Sequence, residues 1–176
     1  MRDVAPFAER LSPDTVTRLE RAAHHRFASA EVLRIQERRL TALYFYGYSA
    51  EIWLCAAYYR SAAFGPHQSI DRDTRQRRMA QARQLRLASG ATMMNSDPHP
   101  LVGWARFLEW QRSASGALGA AATQRLKEAT NKAIEIYNYW RPELRYKVVE
   151  ITDAQLSVVR GAATWLKDNH SKLSEA

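Results

Sequence analysis

Residues 42–59 read ALYFYGYSAEIWLCAAYY, and their pattern decides the fold. Wound as a helix, this stretch puts apolar and aromatic side chains on every face instead of along one stripe. Such a helix belongs either at the centre of a bundle or in a membrane. Its length is just enough to raise the second option. Glu51 stands near its middle and five tyrosines are scattered through it. A carboxylate at that depth would cost several kcal/mol in lipid. The expectation is a buried core helix from about Leu40 to Phe64, stopped by Gly65-Pro66, with no membrane partner.

The sequence on either side agrees with an all-α chain. Ser12-Pro13-Asp14-Thr15 reads as a helix start, with Ser12 as cap and Pro13 in the first turn. Apolar residues then recur at helical spacing through Val16, Leu19, Ala23, Phe27, Ala30 and Leu33. Gln36-Glu37-Arg38-Arg39 is a polar break, either a turn or a solvated part of one longer helix. After Gly65-Pro66 a helix is predicted over about 71–88, with Asp73 and Gln76 at capping-box spacing and Ser89-Gly90 as its stop. Asn95–Pro100 is a loop leading into a helix through Leu101, Trp104, Leu108 and Gln111. A further helix covers about 120–140 and breaks at Arg141-Pro142. Residues 143–151 are ambiguous, and a last helix runs from near Thr152-Asp153 to near Asp168. The architecture expected is one domain over 1–176, an antiparallel bundle of about six helices with its core at about 13–170.

Composition narrows the partners. The chain has 26 Lys and Arg against 18 Asp and Glu, a formal net charge of +8. This favours contact with RNA, DNA, a nucleotide or an acidic protein; the bland alternative is a basic surface without a specialised role. The single cysteine, Cys55, cannot form an intramolecular disulfide and reads as a buried inert thiol. No Cys/His cluster has zinc-ligand spacing, so no metal or other cofactor is expected. MRDVAPFAERL lacks an apolar signal core, which points to the cytoplasm.

Residues 28–57 resemble the first two helices of HEPN (higher eukaryotes and prokaryotes nucleotide-binding) domains. The resemblance rests on Ala42, Leu43, Tyr44, Gly47, Tyr48 and Glu51, with Gly47 suited to close helix approach and Glu51 one turn away on the same face. His99-Pro100-Leu101 resembles an inner helix start of that family, and Glu143-Leu144-Arg145-Tyr146 its Arg-Tyr segment. Thr152–Gln155 resembles the opening of its closing helix. The resemblance covers about residues 25–170 and implies a helical bundle, usually a homodimer. It also implies a setting such as toxin–antitoxin, phage defence or RNA handling, often with a nucleotidyltransferase-type partner.

Catalytic members of that family resemble one another in a late Arg-x(4–6)-His motif that makes a metal-independent ribonuclease site. The spacing occurs here only between Arg18 and His24 or His25, and between Arg60 and His67, both early in the chain. About two such hits are expected by chance in so arginine-rich a sequence. The late segment, Arg141 to Tyr146, has no histidine after it. No catalytic residue is therefore assigned. His24-His25 reads as a solvated pair, His67 as a loop residue and His99 as an organiser of a helix start.

Three other features are candidates. Arg72, Arg75, Arg83 and Arg86 share one stripe at 100° per residue, with Arg78 at its edge and Met79 within it. Such a row can meet phosphates or can be a solvated helix face. Glu51 needs a cation if buried, and Arg145 is the expected partner, making either a structural ion pair or a polar pocket with Tyr146 and His99. Tyr137, Tyr139, Trp140 and Tyr146 can stack on bases or fill the core edge. The first functional expectation is a non-catalytic HEPN-like binding protein. The alternatives are a HEPN ribonuclease with a displaced or degenerate site and an unrelated structural bundle.

Overall fold

The computed structural model describes residues 14–97, 99–116 and 118–175. Six α-helices account for most of it: α1 (Val16–Ile35), α2 (Arg39–Ser61), α3 (Arg72–Gln84), α4 (Leu101–Ala114), α5 (Ala120–Tyr137) and α6 (Asp153–Ser174). A 3₁₀ turn at Pro142–Tyr146 lies between the last two. The all-α bundle expected from the sequence is what forms. No described helix is long and apolar enough to cross a membrane.

The helix ends follow local chemistry. Thr15 caps α1, its hydroxyl accepting from the Arg18 amide at 3.2 Å; Ser12 and Pro13, expected to do this, lie outside the described residues. The 36–38 segment is a tight turn, with Glu37 in the left-handed region at φ 58°. α2 stops at Ser61, earlier than the predicted Phe64, because Ala63 turns left-handed at φ 63° before Gly65-Pro66 is reached. Asp71, not Asp73, caps α3 by accepting from the Thr74 amide at 2.7 Å. α6 opens with a complete capping box between Thr152 and Gln155 and runs past Asp168 to Ser174. The Arg112 guanidinium donates to the carbonyls of Ser174 and Glu175, which fixes that far end.

α2 is the hub. It packs against α1, α6 and α4, and α5 closes the ring by packing on α4 and α6. The buried side chains from Val16 to Leu173 form one cluster, in which Trp53, Trp104, Trp140, Tyr46, Tyr58, Tyr59 and Phe107 are fully enclosed. Tyr58 and Phe107 stack at 4.4 Å. Cys55 is buried among them, and burial pushes its thiol up to about 12. Gly47 does permit a close approach, but by an indole and not by a neighbouring helix backbone. A Cβ there would lie 2.2 Å from Trp140 Cγ. The same indole donates from Nε1 to the Tyr44 carbonyl at 3.0 Å.

α3 differs from the other helices. Ala82 is its only buried residue. It also ends at Gln84, four residues short of the predicted Ala88. Residues 85–93 instead form a small hairpin-like return, with Arg86 bridged to Thr92 and Gly90 at φ 80° in the bend. Along this return Leu85 and Leu87 pack, partly buried, against the core.

Candidate functional site

The cluster that stands out chemically surrounds Glu51. This carboxylate sits on α2 and is 1% exposed. Its Oε2 lies 3.0 Å from Nδ1 of His99. A carboxylate can only accept here, so Nδ1 carries the proton and donates. Its other oxygen, Oε1, has no hydrogen-bond partner among the described residues. The partner expected from the sequence, Arg145, is therefore not the one found: Arg145 is exposed on the 3₁₀ turn, 4.6 Å over the ring of Tyr146. His99 wins because its ring leaves the 95–100 loop directly above α2. It does not cap α4, whose N-cap is Pro100 with no side-chain bond.

His99 retains 24% of its side-chain exposure, and no protein group bonds its Nε2 among the described residues. Tyr48, one turn before Glu51 on α2, packs edge-on against the imidazole at 5.7 Å. The hydrogen bond to Glu51 raises the imidazole pKa, while burial and the charges of Arg145 and Arg75 pull it the other way. Burial, followed by the nearby charge of Glu51, raises the Tyr48 hydroxyl.

The arginine stripe is not one surface. Arg75 is half-buried and lies 3.8 Å from Asp14; Cys55, Glu51 and Tyr59 are within its electrostatic reach. Arg78 lies over Phe64 at 6.0 Å and donates to Gln81 at 3.3 Å. Arg83 donates to the Asn95 carbonyl at 3.1 Å, tying α3 to the 95–100 loop. Arg86 has left the helix altogether. Only Arg72 and Arg86 of the five are exposed with no hydrogen bond or ion pair among the described residues.

The other sequence candidates separate. Trp140 is core, Tyr137 donates to Asp97 at 3.0 Å beneath the Arg141 guanidinium, and Tyr139 and Tyr146 face solvent. His24 and His25 are both exposed, as expected, but the His24 ring also meets Trp53 at 5.5 Å and His170 at 5.7 Å, and partial burial together with His170 and Lys167 lowers its pKa. Arg60, at motif spacing from His67, is tied instead to Glu20. Among the described residues no three His, Cys, Asp or Glu side chains gather where they could hold a metal ion.

Sequence reading missed a second, half-buried carboxylate. Glu31 on α1 accepts from Tyr46 at 2.6 Å, from Arg160 at 2.7 Å and from Arg34 at 3.1 Å. Burial pushes its pKa up, but these bonds outweigh it and bring Glu31 down to about 2. The signal was available: Glu31 is four residues after Phe27, inside the apolar stripe of α1 where a charge requires a partner. Beside it, a hollow of about 520 Å³ is lined by Arg34, Arg39 and Arg160, yet every one of these is already paired with Glu31 or Asp153. No protein-family model, curated protein or solved structure matches the chain, so its candidate site stands on this geometry alone.

Proposed function

We propose that the chain is a HEPN-like binding protein for RNA or nucleotide phosphates. It works as a homodimer, in a toxin–antitoxin or phage-defence setting where a nucleotidyltransferase-type protein is a fitting partner. The observation that carries the binding reading is the pair of exposed guanidinium groups of Arg72 and Arg86, without a hydrogen bond or ion pair among the described residues, on a chain of net charge +8. Exposed apolar side chains at Tyr146, Val148 and Val149 support self-association. Binding to single-stranded RNA should be weak in sequence preference and fall steeply with salt, as displaced counterions drive it. Replacing Arg72 and Arg86 together with Ala should flatten the salt slope by about one to two units. Replacing Arg75 and Arg83 should change it less, since both are engaged within the protein. An unchanged slope in the Arg72/Arg86 variant overturns the assignment, and a strict monomer by light scattering overturns the dimer.

A second reading, a metal-independent ribonuclease with a displaced site, is favoured by the carboxylate-held imidazole of His99. Cleavage of labelled single-stranded RNA without divalent metal, abolished in His99→Gln, would establish it. If RNA is neither bound nor cleaved, the chain is a structural bundle and its charge is surface alone.

A further inference from the structure

We propose that the hollow between the first turns of α1 and the 65–70 loop seats a phosphate group, as carried by single-stranded RNA or a free nucleotide, with Arg21, His67 and Ser69 as its donors. The inference rests on the phosphate-binding reading above and gives it a point of attachment separate from Arg72 and Arg86.

The hollow measures about 380 Å³ and is lined by Thr15, Thr17, Arg18, Arg21, His67 and Ser69. Its two walls are fastened together. The Thr17 amide and hydroxyl both donate to the Pro66 carbonyl, at 3.1 and 3.0 Å, and the Ile70 amide donates to the Asp14 carbonyl at 2.7 Å. These bonds clamp the loop to α1 on either side of His67 and Ser69. Arg18 and Arg21, three residues apart, share the helix face opposite them. Side chains, and not the helix end, are what the space offers. The Thr17 amide is taken by Pro66, and the Arg18 amide by the Thr15 hydroxyl at 3.2 Å.

Charge selects the ligand. Every ionisable side chain in the lining is basic. The acidic residues nearest in sequence are engaged elsewhere: Asp14 with Arg75, Glu20 with Arg60, and Asp71 with the Thr74 amide. The larger hollow at Arg34, Arg39 and Arg160 is the opposite case, since Glu37 and Asp153 share its walls. Arg21, His67 and Ser69 make no hydrogen bond or ion pair among the described residues. A guanidinium brings a fork of N–H donors, an imidazole in either charge state has at least one ring N–H, and a serine hydroxyl can turn to donate. A tetrahedral phosphate can accept from both walls at once. No Phe, Tyr or Trp lines the space, so a base finds no ring of that kind to stack on and sequence goes unread.

The test uses the full chain, with inorganic phosphate as one probe and a single-stranded RNA oligonucleotide as the other. Phosphate titrated at fixed ionic strength should move the His67 ring resonances in NMR, and chloride should not. Arg21→Ala should weaken that response about tenfold. All three donors are exposed, so the variants should keep the fold, which an unchanged urea midpoint verifies. For RNA, Arg21→Ala combined with His67→Gln should flatten the salt slope by about one unit, beyond the loss from Arg72 and Arg86. The phosphate response should persist in the Arg72→Ala/Arg86→Ala variant, so the two assignments fail separately. A phosphate response with an unchanged RNA salt slope, matched by adenosine monophosphate, assigns the hollow to a free nucleotide. His67 resonances that stay fixed in phosphate, or that shift as readily in Arg21→Ala, overturn the site and leave RNA binding at Arg72 and Arg86 standing.

Discussion

Two carboxylates meet at the central helix, Glu51 buried and Glu31 half-buried, and they are treated in opposite ways. Glu31 is saturated: a phenol from α2, an arginine from α6 and an arginine from its own helix occupy its oxygens. Glu51, more deeply enclosed, receives one hydrogen bond from a partly exposed histidine and leaves Oε1 without a partner among the described residues. Saturated buried networks fix one arrangement of the chain, whereas an incompletely satisfied group stores a demand that something else can meet. The difference separates scaffold from site within a single fold. Glu31 fastens α1, α2 and α6, and Glu51 aims an imidazole outward.

The comparison breaks most visibly at Glu31. Glu31→Ala strands the buried Tyr46 hydroxyl and releases two guanidinium groups that are 37% and 46% exposed, and should cost about 2 kcal/mol in urea unfolding. A cost below about 1 kcal/mol would remove the scaffold role. The pH limbs should also have opposite signs. Glu31 is lowered in the folded state, so its contribution is present above the ordinary carboxylate pKa and is lost as pH falls toward about 2. His99 is raised, so its contribution is present below the ordinary imidazole value and is lost as pH rises through the folded one. Urea midpoints against pH should lose the acid limb in Glu31→Gln and the near-neutral limb in His99→Gln.

Between the two regions lies Gly47. Gly47→Ala sets a Cβ into the Trp140 indole and should cost about 2 kcal/mol in the same assay. It should leave the His99 resonances in place, because the indole and imidazole do not touch. The smallest effect belongs to Glu51→Gln, which keeps an acceptor for Nδ1 and relieves a buried charge; its stability should stay within about 1 kcal/mol of wild type. A double-mutant cycle should find coupling of about 1 kcal/mol between Glu51 and His99 and essentially none between Glu51 and Arg145. The reverse result would restore the pairing expected from sequence.

Much of the fold was legible because its signals are local. The all-round apolar run of α2, the start of α6 at Thr152 and the Trp140-Arg141-Pro142 break each act within a few residues, whereas the cap of α1 was expected at Ser12 and Thr15 is the residue that provides it. What escaped was set at a distance. Helical periodicity carried α3 through Arg86, yet the chain turns extended at Leu85, and Leu85 and Leu87 pack partly buried against a core formed by distant residues. The need of Glu51 for a partner was readable, but which of His99 or Arg145 reaches it depends on how a loop 48 residues away crosses α2. Arginine spacing likewise says where guanidinium groups start, not that Arg75 and Arg83 end on protein atoms.

The sealed position of Cys55 gives the molecule an internal clock. It is the only thiol in the chain, it lies at the hub, and its proton is held too tightly to ionise in neutral buffer. An alkylating reagent must wait until α2 is uncovered. The pace of modification in native buffer therefore counts how often the bundle comes apart, and any ligand that binds the folded state should slow it.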